Sequence, residues 1–394
     1  MTVDHNYFLI GLLYGYFPFI WLGIFYVMTG CLLINYVINN LCMKKCIRIF
    51  VVILGVIFFV ACGNKVESVY QDETCIEWED FESQELTGRE IAFDEPVMQP
   101  NQLVVMDTLL ITINRKTEKL LHLFNLNTKK KIGEQMTMGE GPNEMISPSF
   151  ILGQDSVRLY DMVTSAVCTY GVGEFVSAPS LVPSRRYKLS EADFFSELVL
   201  LKDKLVGVSY RPDAPCYMFN AAGQKIGAIG NYPEGPEAYT DLERVDAYRA
   251  IPASNGNDRF AVCHFFTDLI DIYSDSGKLV KRLYGPEHFF TRFTEFNDGV
   301  QIGSRPNPDY YRDAFYSPVG VGDELWVLYN GKFVNKPGYN LLAKDILVFS
   351  WEGVPLRHYI LNDGVSRIAV NPEKRKIYRS EEHTSELQSP DLIS

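Results

Sequence analysis

The chain has 394 residues, a formal net charge of −12 at pH 7 and 47% hydrophobic residues. Its acid surplus argues against bulk electrostatic binding to nucleic acid or to anionic lipid head groups. The length admits one large all-β domain or two smaller ones.

Residues 7–42 are aliphatic and aromatic, with no charge after Asp4. About 20 apolar residues suffice to cross a bilayer, so residues 1–42 read as a membrane span or as translation upstream of a start at Met43. The second reading is preferred, because residues 43–61 form a complete signal peptide that needs nothing ahead of it. Lys44, Lys45 and Arg48 make the basic region, Ile49 to Phe59 the apolar region, and Phe59-Val-Ala-Cys62 a lipobox. In such signals the cysteine takes a diacylglyceryl group and becomes the new N-terminus. Cys62 is therefore the expected lipidation site and the membrane a partner through that lipid. Gly63 is not the aspartate of an inner-membrane retention signal, which points to the outer membrane. The acidic run does not directly follow Cys62, which points to its periplasmic face.

Residues 62–100 are polar and acidic and read as a tether leading into a first strand. From 101 to 378 the chain turns to short β-rich runs separated by Gly, Pro, Asn and Asp. An Asp-x-apolar-x-apolar opening occurs at Asp107, Asp155, Asp203, Asp258 and Asp323, with a looser copy at Asn371-Pro-Glu-Lys-Arg-Lys-Ile-Tyr378. A second signal places an aromatic residue four before a glycine and an aliphatic residue three after it: Phe219-Gly223-Ile226, Tyr273-Gly277-Val280 and Phe349-Gly353-Leu356. This is a hairpin whose turn needs positive φ. Two such signals per roughly fifty residues give about four strands per repeat, the mark of a propeller rather than a sandwich. The wider gap between Asp258 and Asp323 implies an insertion around residues 289–316.

Arg379 to Ser389 matches one translated frame of a common sequencing adaptor. Residues 379–394 are accordingly expected to be a non-native tail without function. The last blade is then expected to be truncated near Tyr378, with exposed strand edges and reduced stability.

The lipobox, the acidic stretch, the blade repeat and Gly139-Glu-Gly-Pro-Asn-Glu144 together resemble the TolB-like six-bladed β-propeller lipoproteins of Bacteroides-type bacteria. The likeness covers about residues 62–378. It implies an all-β, six-bladed β-propeller behind an N-terminal signal segment and implies no particular activity.

If the Asp-x-apolar strands are innermost, their far ends approach one mouth of an axial channel. Those ends carry Asn114, Arg115, Asp161, Tyr210, Arg211, His264, Tyr329 and Asn330, a polar and aromatic ring suited to ligand binding. Ordinary strand-end residues facing water would show the same pattern. Asn114, Asp161 and Asn330 are hard oxygen donors, so calcium is the one cofactor the ring would admit, with His264 as a base. No cofactor is otherwise expected. In the insertion, Arg305, Tyr310, Tyr311 and Arg312 form a candidate partner-binding loop. The leading function is a lipid-anchored envelope protein that binds a peptide, glycan or protein. The alternatives are a calcium-dependent hydrolase or lyase with an axial site, and an accessory subunit whose channel is plugged.

Overall fold

The computed structural model describes residues 69–371, apart from 99, 152–155, 178–180, 191–194, 338, 340 and 341, together with 373, 376–380 and 387–388. The signal segment, Cys62 and Asp155 lie outside the described residues. Among those residues no helix is long and apolar enough to cross a membrane.

The strands form six sheets of four or five strands and one separate hairpin. Three short strands come first: β1 (Glu73–Cys75), β2 (Glu82–Leu86) and β3 (Glu90–Ile91). The first sheet holds β4 (Gln102–Met106), β5 (Leu109–Ile113), β6 (Lys119–Asn125) and β7 (Lys130–Thr137). The second holds β8 (Pro148–Ile151), β9 (Val157–Asp161), β10 (Ala166–Tyr170) and, after helix α1 (Val172–Ser177), β11 (Arg185–Lys188). The third holds β12 (Phe195–Leu201), β13 (Lys204–Ser209), β14 (Cys216–Phe219) and β15 (Lys225–Ile229). Helix α2 (Asp241–Ala247) leads to the fourth, β16 (Ala250–Ser254), β17 (Arg259–His264), β18 (Leu269–Ser274) and β19 (Leu279–Tyr284). The hairpin β20 (Phe293–Asn297) and β21 (Ile302–Pro306) is the expected insertion and packs on α2. The fifth sheet holds β22 (Phe315–Val321), β23 (Glu324–Tyr329), β24 (Ala343–Ser350) and β25 (Pro355–Val365). The sixth joins β26 (Arg367–Asn371), β27 (Lys376–Ser380) and β28 (Leu387–Gln388) to β3 from the N-terminal end.

The glycine hairpins form as the spacing requires. Gly223, Gly277 and Gly353 all sit at positive φ, between 77° and 81°. In each, the glycine N–H bonds back three residues, to Asn220, Ser274 or Ser350, and the register shifts at the preceding aromatic. The strand carrying Phe219, Tyr273 or Phe349 buries that ring fully, or nearly so, in a core between sheets.

The first strands of the sheets abut in a closed ring, β4 to β8 to β12 to β16 to β22 to β26 and back to β4. This is a β-propeller. It corrects one expectation: the Asp-x-apolar strands are second in their sheets, and the strands before them line the axis. Asp107, Asp203, Asp258 and Asp323 sit in the turns joining the two, and Asp107 takes φ 48°.

The N-terminal acidic stretch also differs from a solvated tether. β1 pairs in parallel with β19, and β2 with β25. Ile76, Phe81 and Leu86 are buried, so three apolar side chains hold a largely acidic segment on the outer edges of two sheets. At the other end, β27 runs two residues past Tyr378. Arg379 is fully buried and donates to the Asn362 side chain at 3.0 Å. β28 lies within the segment expected to be a tail and joins β27 to β3, giving the sixth sheet four strands in place of a truncated edge.

Candidate axial site

The six inner strands close around the axis. The cavity between them is walled by residues from all six and holds about 780 Å³ of empty space, part of it open to solvent. Its walls are mostly aliphatic, with Val104, Val199, Ile251, Ala253 and Val319 prominent. Five polar side chains break that lining: Gln102 on β4, Glu197 on β12, Ser254 on β16, Ser317 on β22 and Arg367 on β26.

These groups are tied into the backbone. Gln102 accepts from the Phe150 N–H at 2.8 Å and donates to Glu197 Oε1 at 2.8 Å. That bond lowers the Glu197 pKa, but burial outweighs it and pushes the carboxyl up from the usual range. Arg367 donates through Nε to the Asn101 carbonyl at 2.6 Å and through Nη1 to the Ser366 carbonyl at 2.7 Å.

Glu197 also faces a second pocket of about 770 Å³ empty space beside the ring. Arg115, Tyr210, Arg249, Phe265 and Phe266 share its wall. Arg115 donates to the Pro148 carbonyl at 2.9 Å, and its Nε is buried without a partner. Burial lowers the pKa of both Arg115 and Arg367, and the charge of Glu197 opposes that shift at each. Both remain cations, because guanidinium is not deprotonated in proteins. The Arg249 guanidinium lies 5.8 Å from the Tyr210 ring centre and 5.9 Å from that of Phe266, and pairs with Asp246 at 2.6 Å.

Of the ring expected from sequence, Arg115 and Tyr210 reach this pocket. The others are placed elsewhere. Asn114 caps a turn, accepting from the Lys116 N–H at 2.9 Å. Asp161 is fully buried, and its two oxygens accept from the N–H groups of Ile146, Ser147 and Val163 and from the Thr164 hydroxyl. Arg211 lies at the surface and pairs with Asp213 at 3.2 Å. His264 is buried inside the fourth sheet, with Nδ1 against the Tyr248 carbonyl and Nε2 3.8 Å from Asp271. Tyr329 donates to Asp268 at 3.1 Å, and Asn330 is buried near Tyr316. Asn114 and Asp161 each spend side-chain oxygen on backbone N–H groups of their own loops. Among the described residues, no group of three or more His, Cys, Asp or Glu side chains is placed to hold a metal ion.

The insertion residues divide in the same way. Arg312 packs its guanidinium 4.2 Å from the Phe289 ring centre and 4.8 Å from that of Phe333, and pairs with Glu287. Tyr311 packs on Phe266, and Tyr310 beneath Arg292. Arg305 lies exposed on β21, 5.9 Å from the Phe296 ring centre.

Sequence reasoning missed Gln102, Glu197, Arg249 and Arg367. The available signal was a polar residue at or near the head of the apolar strand just ahead of the turn, with Arg249 one residue before its strand.

Among solved structures, a DUF4221 family member from Bacteroides vulgatus aligns with TM-score 0.47 and 8% identity, covering 77% of this chain and 96% of that one. A Bacteroides fragilis protein described as exported aligns with TM-score 0.45 and 11% identity, covering 82% and 100%. The Swd1 β-propeller domain of Myceliophteria thermophila aligns with TM-score 0.40 and 8% identity, covering 77% and 100%. No curated protein matches. The family model described as TolB-like 6-blade propeller-like matches residues 80–373, and the chain belongs to that family.

Proposed function

We propose that this chain is a lipid-anchored binding protein of the bacterial cell envelope, a six-bladed propeller that holds its ligand in the axial cavity and the adjoining pocket. The observation that carries the reading is the cavity itself. All six inner strands wall it, it retains open space instead of a plug of large side chains, and it places Gln102, Glu197 and Arg367 on a mostly aliphatic surface. Concave, mostly apolar sites with a few fixed polar groups are the usual form of a small-ligand site. The sheet made by β26, β27, β28 and β3 is taken as the sixth blade, closed by strands from both ends of the domain.

The anchor rests on the Met43–Cys62 pattern. Radiolabelled palmitate should enter the full chain in bacteria and should be lost in Cys62→Ser, which should also leave the membrane fraction. Binding is tested by native mass spectrometry of the full chain after incubation with fractionated envelope extract. The wild type should carry an added small-molecule mass that Ala253→Trp, which fills the cavity, does not. Identical spectra for the two would sink the axial reading.

A further inference from the structure

We propose that the axial site selects an anionic ligand, a carboxylate or a phosphate ester, gripped by Arg115 and Arg367 with the rest of the molecule laid on Tyr210 and Phe266; this rests on the axial reading above.

The guanidiniums around the site are unevenly paired. Arg249 is matched by Asp246. That leaves Arg115 and Arg367 beside Glu197, which interacts with both, and Asp161, which interacts with Arg115 but accepts from four donors of its own loop. Among the described residues, neither guanidinium has a carboxylate within the 4.0 Å of an ion pair. Their hydrogen-bond partners are the neutral carbonyls of Pro148, Asn101 and Ser366. Glu197 is itself committed to Gln102, and its burial favours the uncharged acid. Counting Asp161, cations and carboxylates balance with Glu197 ionised, and one positive charge is in surplus with it neutral.

Cations held away from water without a matched anion are costly. A ligand carboxylate or phosphate supplies that anion, and the guanidinium fork suits both through paired N–H donors. Arg115 Nε, buried and without a partner, is one such donor. The exposed Tyr210 ring, with the edge of buried Phe266 behind it, offers an apolar surface beside the charge. A cationic ligand would meet two guanidiniums and one engaged carboxylate, so the same geometry repels it.

The test is isothermal titration of the full chain in detergent with four probes: benzoate, phenyl phosphate, inorganic phosphate and neutral benzamide. Benzoate or phenyl phosphate should bind at least tenfold more tightly than benzamide. Arg115→Met and Arg367→Met should each weaken that binding at least tenfold, while Glu197→Gln should tighten it. If a methionine variant fails to fold, Glu197→Gln alone decides the matter, because it adds no cavity and removes only negative charge. Benzoate against phenyl phosphate separates a carboxylate ligand from a phosphate ester, and inorganic phosphate shows whether the aromatic bed is needed. Benzamide binding as tightly as benzoate, and lost in Ala253→Trp, would overturn the anion selectivity and leave the axial reading standing. Anion binding unchanged in Ala253→Trp and in both arginine variants would overturn both. No binding by any probe, or weaker binding in Glu197→Gln, overturns the anion selectivity.

Discussion

Asp271 and Arg282 face each other across β18 and β19 as a buried two-point pair, with Nε to Oδ1 at 2.7 Å and Nη2 to Oδ2 at 2.9 Å. Burial drives the Asp271 carboxyl upward, but the nearby His264 ring and the two hydrogen bonds and charge of Arg282 outweigh it and hold the group below its ordinary pKa. Removing one partner strands a charge in the fold. Arg282→Met is expected to cost about 3–5 kcal/mol. Replacing both, as in Asp271→Leu with Arg282→Met, should recover much of that loss. Urea denaturation of the two variants and the wild type checks this; a single-variant loss under about 1 kcal/mol would show the pair to be dispensable.

Asp268 gives a pH dependence of the opposite sign. Burial pushes its carboxyl up from 3.8 to about 7, against the Glu287 N–H and the Tyr329 hydroxyl that favour the anion. The folded chain therefore keeps a proton that the unfolded chain has released between those two values. This stabilisation is fully present below pH 3.8, falls as pH rises, and is gone above about 7. Its full span is on the order of 4 kcal/mol. Asp268→Asn should remove this part of the slope, so the variant gains on the wild type as pH goes from 5 to 8. Parallel urea midpoints for the two proteins over that range would refute the assignment.

Gly320 on β22 lies where the inner strands are most crowded. A Cβ there would fall on the Ser254 carbonyl oxygen of β16 and against the Trp351 ring. Gly320→Ala should destabilise by at least about 1–3 kcal/mol, because backbone cannot give way as a side chain can. Gly227 on β15 has nothing within 4 Å of its added carbon. Gly227→Ala should stay within about 0.5 kcal/mol of the wild type. Thermal melting of both variants is the check, and equal melting temperatures would be the contrary result.

Asp161 stood among the expected ligand residues, yet its bonding is that of a loop clamp. Asp161→Ala leaves three N–H groups and one hydroxyl without their acceptor and should cost about 3–5 kcal/mol. Benzoate affinity at a temperature where the variant is folded should not fall, because Asp161 touches Arg115 only through its charge. An affinity loss matching that of Arg115→Met, with stability retained, would return Asp161 to the site.

The hairpin repeat was legible in sequence because its cause is local. Positive φ at Gly223, Gly277 and Gly353 follows from four adjacent residues and needs no tertiary context. The axis was misassigned because an aspartate opening a strand is equally a residue closing a turn, and the turn role applied. Glu197 and Arg367 escaped notice for a related reason. A polar residue in a mixed strand reads the same whether it faces water or a cavity. Arg115 and Tyr210 were found because loops after the second strands fold back over the ring. The pairing of the N-terminal strands could not be read at all, since Ile76, Phe81 and Leu86 follow neither a helical nor a strand period.

Those N-terminal strands also set an order of events. Trp78 meets Glu287 across 209 residues of chain, and Ser83 meets His358 across 275. β3 waits for β28. The residues synthesised before the first sheet therefore have no surface to pair with until the fourth, fifth and sixth sheets exist. Closing loops this long is slow and is rewarded only at the end. The earliest-made part of the domain is thus the last to dock, and it works as a seal that completes the molecule only after nearly the whole chain has emerged.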